Sequence, residues 1–262
     1  NRLLMFELAL DPTTWAVLCA VALAAGFIDA IAGGGGMLTV PALLTAGLPP
    51  HLTLGTNKLA ASFGSLTASY TYYKKNLFSP KFWAASIIAT AIGALIGTII
   101  VDHLSIDFLN KLLPIIIILV AGYSLFGNLS TTEGDELPKL NKAMKIKQWL
   151  QGLALGFFDG LAGPGTGTFW TASNGMLYKM NLLLNCGLAR SMNFVSNFIS
   201  LITFVALGHV NFLLGITMGF FIMLGAWFGA HSAIRFGSKF IRPVFNTMVI
   251  LLALKLIYEA YF

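Results

Sequence analysis

Lys58 and Arg190 each interrupt a long apolar stretch, and both are residue types that bind anions. Lys58 sits in Thr56-Asn57-Lys58-Leu59-Ala60-Ala61-Ser62-Phe63-Gly64-Ser65. Arg190 sits in Leu188-Ala189-Arg190-Ser191-Met192-Asn193-Phe194-Val195-Ser196-Asn197, and a shift of 132 residues superposes the two cations. Each falls about seven residues into its apolar stretch, ~10 Å deep if that stretch is helical. A charge at that depth costs ~2.5–3.5 kcal/mol on insertion scales, so such a residue is rarely without a partner or a task. An ammonium point charge and a forked guanidinium donor together suit a small oxyanion. Asn57, Asn193 and Asn197 lie beside the cations and are candidate hydrogen-bonding partners for the same ligand. Asn193 and Asn197, four apart, share one helix face.

Two acids complete the set. Asp29 lies in Gly26-Phe27-Ile28-Asp29-Ala30-Ile31-Ala32-Gly33-Gly34-Gly35-Gly36, which returns 130 residues later as Gly156-Phe157-Phe158-Asp159-Gly160-Leu161-Ala162-Gly163-Pro164-Gly165-Thr166. Each acid precedes a glycine break by four residues. A helix restarting after the break offers free backbone N–H groups to an anion, which makes Gly34, Gly35, Gly36 and Gly165 candidate binding positions. A buried carboxylate has a raised pKa, so Asp29 and Asp159 are candidates for proton coupling. The plainer alternatives stay open. Each acid could satisfy N–H groups freed by the break, and each cation could pair with the acid of its own copy, Lys58 with Asp29 and Arg190 with Asp159, or snorkel to an interface.

The elements that must position these residues are apolar helices. Of 262 residues, 57% are hydrophobic and 10% charged, with mean hydropathy +0.81. A soluble domain carries roughly 25% charged residues. Charge-free windows at 82–101, 112–132, 191–234 and 243–254 approach or exceed the ~20 residues that cross a bilayer. The net charge of +6 comes from basic residues in loops, where it reads as a topology signal and not as a nucleic-acid surface. Cys19 and Cys186 lie far apart in apolar segments, with no disulfide or metal spacing. His51, His103, His209 and His231 sit near predicted helix ends without ligand spacing, so no metal or other cofactor is expected. No nucleophile, base or metal constellation suggests an enzyme. No cleavable signal peptide is expected in the sequence given.

The fold class expected is an all-α polytopic membrane protein built from two inverted repeats. Residues 1–127 form repeat 1, a glycine-broken hairpin at 15–48 followed by helices near 53–73, 81–101 and 108–127. Residues 128–148 form a polar cytoplasmic linker. Residues 149–262 form repeat 2, a broken hairpin at 150–180 followed by helices near 185–206, 212–233 and 240–261. That makes about eight hydrophobic segments. Gly93-Ala94-Leu95-Ile96-Gly97 and Gly225-Ala226-Trp227-Phe228-Gly229 match at a shift of 132, a spacing that lets helices approach closely. Residues 37–48 are too short to span, so the break is either re-entrant or leaves this piece at the interface. Loop charges favour the first. Lys74, Lys75 and Lys81 follow one helix, whereas the matching loop near 207–211 carries no Lys or Arg. Arg235, Lys239 and Arg242 lie in a loop whose counterpart holds Asp102, Asp107 and Lys111. Equivalent loops then face opposite sides, with both termini extracytoplasmic.

Asp29, the Gly33–Gly36 run, Thr39-Val40-Pro41-Ala42-Leu43 and Thr56-Asn57-Lys58 resemble the first-repeat signature of the TauE/SafE family, sulfite and organosulfonate exporters of bacterial membranes. The resemblance covers essentially the whole chain. It implies a carrier in the bacterial inner membrane for sulfite, sulfoacetate or a related sulfonate, with Asp29, Gly33 to Gly36, Asn57 and Lys58 as working residues. Pro164 and Thr166 depart from the first-repeat pattern. The function expected is a secondary transporter of a small anion by alternating access, coupled to protons through the two acids. Another small anion, such as a carboxylate, or a cation held by Asp29 and Asp159, is the alternative. The partners expected are that substrate and the lipid bilayer, with a homo-oligomer compatible and no nucleic acid.

Overall fold

In the computed structural model, residues 10–113, 115, 137–237, 239–241, 243, 244 and 247 are described. They form eight helices: α1 (Pro12–Ala32), α2 (Gly36–Thr45), α3 (Pro50–Lys74), α4 (Ala84–Asp102), α5 (Lys142–Leu161), α6 (Thr166–Tyr178), α7 (Leu182–Ala206) and α8 (Phe212–Phe236). Further helical residues begin the predicted helices at 108–127 and 240–261, which otherwise lie outside the described residues, as do Arg2, Arg242, Lys255 and linker residues 128–136. No strand occurs among the described residues.

Local chemistry sets the helix starts. Asp11 caps α1 through Thr14, with Pro12 in the first turn. Asn141, Asn181 and Asn211 accept from the third backbone N–H of α5, α7 and α8, at 2.8, 2.8 and 3.0 Å. The Asn141 cap corrects one expectation. The linker ends there and not at residue 148, because Met144 and Gln148 face inward while Lys142, Lys145 and Lys147 stay exposed. Residues 142–148 are therefore the amphipathic first turns of α5.

Helices α1, α4, α7 and α8 are long and apolar enough to cross a membrane. Helix α3, with 25 residues, has the length but not the apolarity, because its inner face carries Thr56, Asn57, Lys58, Ser62 and Ser65. The two breaks pair a long limb with a short one. Helix α1 has 21 residues and α2 has 10, or ~31 and ~15 Å. The first limb is thus longer than a hairpin reaching only mid-membrane requires.

Small residues fix which helices touch. A Cβ on Gly225 or Gly229 would meet Leu23 O or Phe27 O of α1 at 2.0 and 2.4 Å. A Cβ on Gly93, Gly156 or Gly160 would likewise meet backbone across the α4–α5 seam at 2.3–2.4 Å. So α1 lies on α8 and α5 on α4, and each broken helix packs against a late helix of the other repeat. Leu23 faces Gly225 and Phe27 faces Gly229, while Leu59 faces Gly215 and Phe63 faces Gly219, so α1, α3 and α8 run parallel. Gly93 faces Leu153 and Phe157, Gly97 faces Phe157 and Leu161, and Thr90 and Thr98 meet Met192 and Ser200, so α4, α5 and α7 run parallel. Ser69 meets Ser191 whereas Lys58 meets Asn197, so α3 and α7 cross antiparallel. Because α1 and α3 run the same way, α2 brings the chain back between them, as a re-entrant segment requires.

Backbone at the seams leaves no room for a side chain. Gly156→Leu, which forces α5 off Thr90, is expected to destabilise the protein by at least ~3 kcal/mol, and Gly225→Leu to do the same between α8 and α1. Thermal melts of the purified variants, with monodispersity on size exclusion, check this. Wild-type melting in both would refute the seam geometry.

Candidate functional site

The two breaks meet tip to tip. Gly33 takes φ 86°, the left-handed region that only glycine enters freely, and a Cβ there would lie 2.5 Å from the Gly167 carbonyl carbon. In the first break Gly33 and Gly34 are both left-handed; in the second the left-handed residues are Gly163 and Gly165. Pro164 stands between them, and its ring holds φ negative, so the turn shifts one residue along. The sequence mismatch at Gly34 and Pro164 thus has a local backbone consequence.

Each acid holds the start of the short limb that follows it. Asp29 Oδ1 accepts the Gly35 N–H at 2.9 Å. Asp159 Oδ1 accepts instead the Thr166 hydroxyl, at 3.0 Å. The reading in which an acid satisfies an N–H group freed by the break fits Asp29, whereas Asp159 takes a side-chain hydroxyl in that place.

The cations pair across the repeats. Lys58 Nζ lies 3.0 Å from Asp159 Oδ1, donates to the Asp159 backbone oxygen at 2.7 Å and reaches Asn197 Oδ1 at 3.2 Å. Arg190 Nη1 donates to the Asp29 backbone oxygen and stands 3.8 Å from Asp29 Oδ1, while Nη2 donates to Gly167 O at 3.0 Å. The expected pairing of Lys58 with Asp29 and Arg190 with Asp159 is therefore corrected. The reason is the helix directions: α3 and α7 cross antiparallel, so each cation faces the tip supplied by the other copy. Neither cation snorkels, since Lys58 is 1% and Arg190 0% exposed.

The pairs are unequal. The Lys58–Asp159 side chains are 2% and 4% exposed, whereas Asp29 is 23% exposed beside a fully buried Arg190. Arg190 holds carbonyls from both tips and so staples them together. Helix α6 is further pinned by a polar network in which Gln151 Nε2 donates to Ser173 and Asn174, and Tyr178 donates to Gln151. Position 21, which corresponds to Gln151 in the first copy, is Val21. The second tip is therefore the more firmly anchored.

Between the tips is a cavity of about 30 Å³. Asp29, Gly34, Gly35, Gly36, Asn57, Lys58, Asp159, Gly165, Asn193 and Asn197 all line it. Arg190, grouped with them on sequence, lies behind the wall. The sequence reading missed Thr39, whose hydroxyl donates to Asn57 Oδ1 at 2.5 Å, and Thr166; the signal available was their place in the first turn after each break. Among the described residues, Asp159 Oδ2, Asn193 Oδ1 and Arg190 Nε are buried and find no hydrogen-bond partner. Such atoms are costly when dry, and the space admits a water or two but no oxyanion. The tips are closed on each other.

Removing one member of a buried ion pair strands a charge, at a typical ~3–5 kcal/mol. Lys58→Met is expected to destabilise by about that much, and adding Asp159→Asn to recover more than half. A double-mutant cycle should give a coupling above ~1 kcal/mol for Lys58 with Asp159 and a smaller one for Lys58 with Asp29. The reverse order would overturn the crossed pairing.

Comparison with known proteins points to membrane transporters. The family described as "Sulfite exporter TauE/SafE" matches residues 18–256. The chain is 35% identical to a "Probable membrane transporter protein" of Haemophilus influenzae over 93% of this chain and 94% of that one. It is 33% identical to "Probable membrane transporter protein YfcA" of Escherichia coli K12, over 96% and 92%. It is also 24% identical to "Probable membrane transporter protein YunE" of Bacillus subtilis, over 95% and 99%. No solved structure matches the chain. A multi-pass helical protein with this signature, matched along nearly its whole length, belongs to the TauE/SafE family of membrane transporters.

Proposed function

We propose that the protein is a secondary carrier that exports a small sulfur oxyanion, sulfite or an organosulfonate, by alternating access between two inverted halves. The observation that carries this reading is the crossed pairing of Lys58 with Asp159 and Arg190 with Asp29 at two apposed helix breaks. Support for inversion comes from helix direction: α1, α3 and α8 run one way, and their sequence counterparts α5, α7 and α4 run the other. The nature of the substrate rests on the family description.

The chemistry follows from exchange of partners. With the tips closed, the carboxylates neutralise the cations. When the tips part, an oxyanion takes the place of a carboxylate beside Lys58, with Asn57, Asn193 and the N–H groups of Gly35, Gly36 and Gly165 completing its shell. The four charged groups sum to zero. A monoanion added to them leaves one negative charge, which one proton on the more accessible Asp29 cancels. Without that proton the anion crosses as a net charge, and an inside-negative potential drives it outward by about 2.3 kcal/mol per 100 mV. A cation carrier is disfavoured, because both acids already face a cation. Lys and Arg in the loop at 74–81 and after α8 support a cytoplasmic side for those loops and an outer side for the termini.

Radiolabelled sulfite flux in proteoliposomes tests the reading. Lys58→Met/Asp159→Asn, which leaves no stranded charge, is expected to stay folded and lose transport at least ~100-fold. Flux should rise severalfold under a potassium diffusion potential negative on the side the anion leaves. Wild-type flux in the double variant would sink the site. Competition by carboxylates and not by sulfonates would move the substrate to the carboxylate class.

A further inference from the structure

The two ends of the molecule are built on the same plan but from different chemistry. At one end, the loop between α7 and α8 seats against α3, where a Cβ on Gly55 would lie 2.0 Å from His209 O. At the other, the loop between α3 and α4 seats against α7, where a Cβ on Gly187 would lie 2.3 Å from Leu77 O. His209 and Leu77 are 132 residues apart, as are Gly187 and Gly55, so the same contact is made twice. At that shift His51 corresponds to Leu183 and Asp102 to Ile234. Leu77, Leu183 and Ile234 all pack on one apolar cluster with Cys186 and Ala233.

The other end is a titratable cluster in place of that apolar one. His209 Nε2 lies 2.7 Å from Asp102 Oδ1. The His51 ring stacks on the His209 ring, with centroids 5.3 Å apart, and its Nε2 meets Val101 O at 3.1 Å. Phe204 covers the His209 ring edge-on. The cluster joins the start of α3, the end of α4 and the α7–α8 loop. That loop is also tied to α3 near the central site, since the Asn211 N–H donates to Thr56 Oγ1 at 3.0 Å, two residues before Lys58. Among the described residues, the other charged groups of these elements face elsewhere. His103 is exposed with its ring on Ile99 O, and Asp107 and Lys111 are exposed on the segment after α4.

We propose that His209, with Asp102 and His51, is a proton-binding latch on the end of the carrier where α3 and α8 begin, and that its protonation holds that end closed. A neutral His209 offers Asp102 one N–H from an uncharged ring. A protonated one makes the same contact an ion pair, which parting of the loop from α4 would break. The closed end therefore binds the proton more tightly than the open end. By linkage, this stabilisation grows as pH falls and is lost as pH rises. Leu77, Leu183 and Ile234 carry no proton, so the matching contact at the other end lacks this latch. The consequence for flux rests on the alternating-access reading above; the proton binding does not.

Hydrogen exchange on the detergent-solubilised full chain tests the latch without substrate. After correction for intrinsic rates, segment 207–211 is expected to exchange at least about threefold more slowly at acid than at mildly alkaline pH, while segment 75–81 does not respond. His209→Gln keeps an N–H donor toward Asp102 but cannot charge, and should abolish the pH response with no loss of folding. A full response in His209→Gln, or none in the wild type, overturns the proposal. In proteoliposomes, acidifying the side that bears His209 should slow wild-type sulfite flux and leave the flux of His209→Gln unchanged; equal slowing in both overturns the gating role. Exchange that follows His209 in a protein that moves no sulfite leaves the latch standing and removes the substrate reading instead.

Discussion

Everything in this molecule is arranged around two ion pairs, one fully and one partly buried, that no single half can make. Lys58 finds Asp159 and Arg190 finds Asp29, each cation also donating to the backbone oxygen of the acid it faces. A lone charge in apolar surroundings is costly, and a pair regains that cost only with good geometry and further hydrogen bonds. Here the further bonds come from backbone carbonyls beside the two breaks, among them Asp29 O, which the Gly33 N–H also reaches at 3.0 Å. The helix breaks and the buried cations therefore stabilise one another.

That constraint explains the packing outside the site. For the tips to meet, α1 and α5 must lie close along α8 and α4, and glycines along those seams let backbone approach backbone. The polarity of α3 has the same origin. Its Asn57 and Lys58 face the tips, and Thr56, Ser62 and Ser65 are buried beside them, so a helix of spanning length is poor in apolar residues. Equal packing with unequal chemistry then differentiates the copies. Pro164 displaces the left-handed turn, Thr166 replaces a backbone donor by a hydroxyl, and the polar network of Gln151, Asn174 and Tyr178 ties down only the second short limb. The first tip, with Asp29 reachable by solvent, is the looser partner.

Much of this was legible from residues. The glycine breaks, the mirrored cations and acids, the Gly-Ala-x-x-Gly seams and the helix spans all rest on local rules of charge, flexibility and apolar run length. What was misread has a physical reason in each case. Residues 142–148 looked like linker because their lysines dominate the composition, although Met144 and Gln148 give them an inward face. Arg190 was placed in the binding wall because spacing locates a side chain along a helix without showing which groups compete for it. Its guanidinium is taken up by Asp29 O and Gly167 O.

The sequence by itself determined that the chain is helical and membrane-embedded, that it repeats, and that each copy brings one cation and one acid to a broken helix. It could not determine which cation meets which acid. Spacing within a copy makes Lys58 and Asp29 natural partners, and only the antiparallel crossing of α3 and α7 hands each cation to the other copy's tip. Nor could it bring His51, Asp102 and His209 together, since residues this far apart in sequence meet only where α3, α4 and the α7–α8 loop end at one face. Local structure follows from neighbours in sequence, whereas a charge pair between copies depends on the relative direction of whole helices, which only their packing decides.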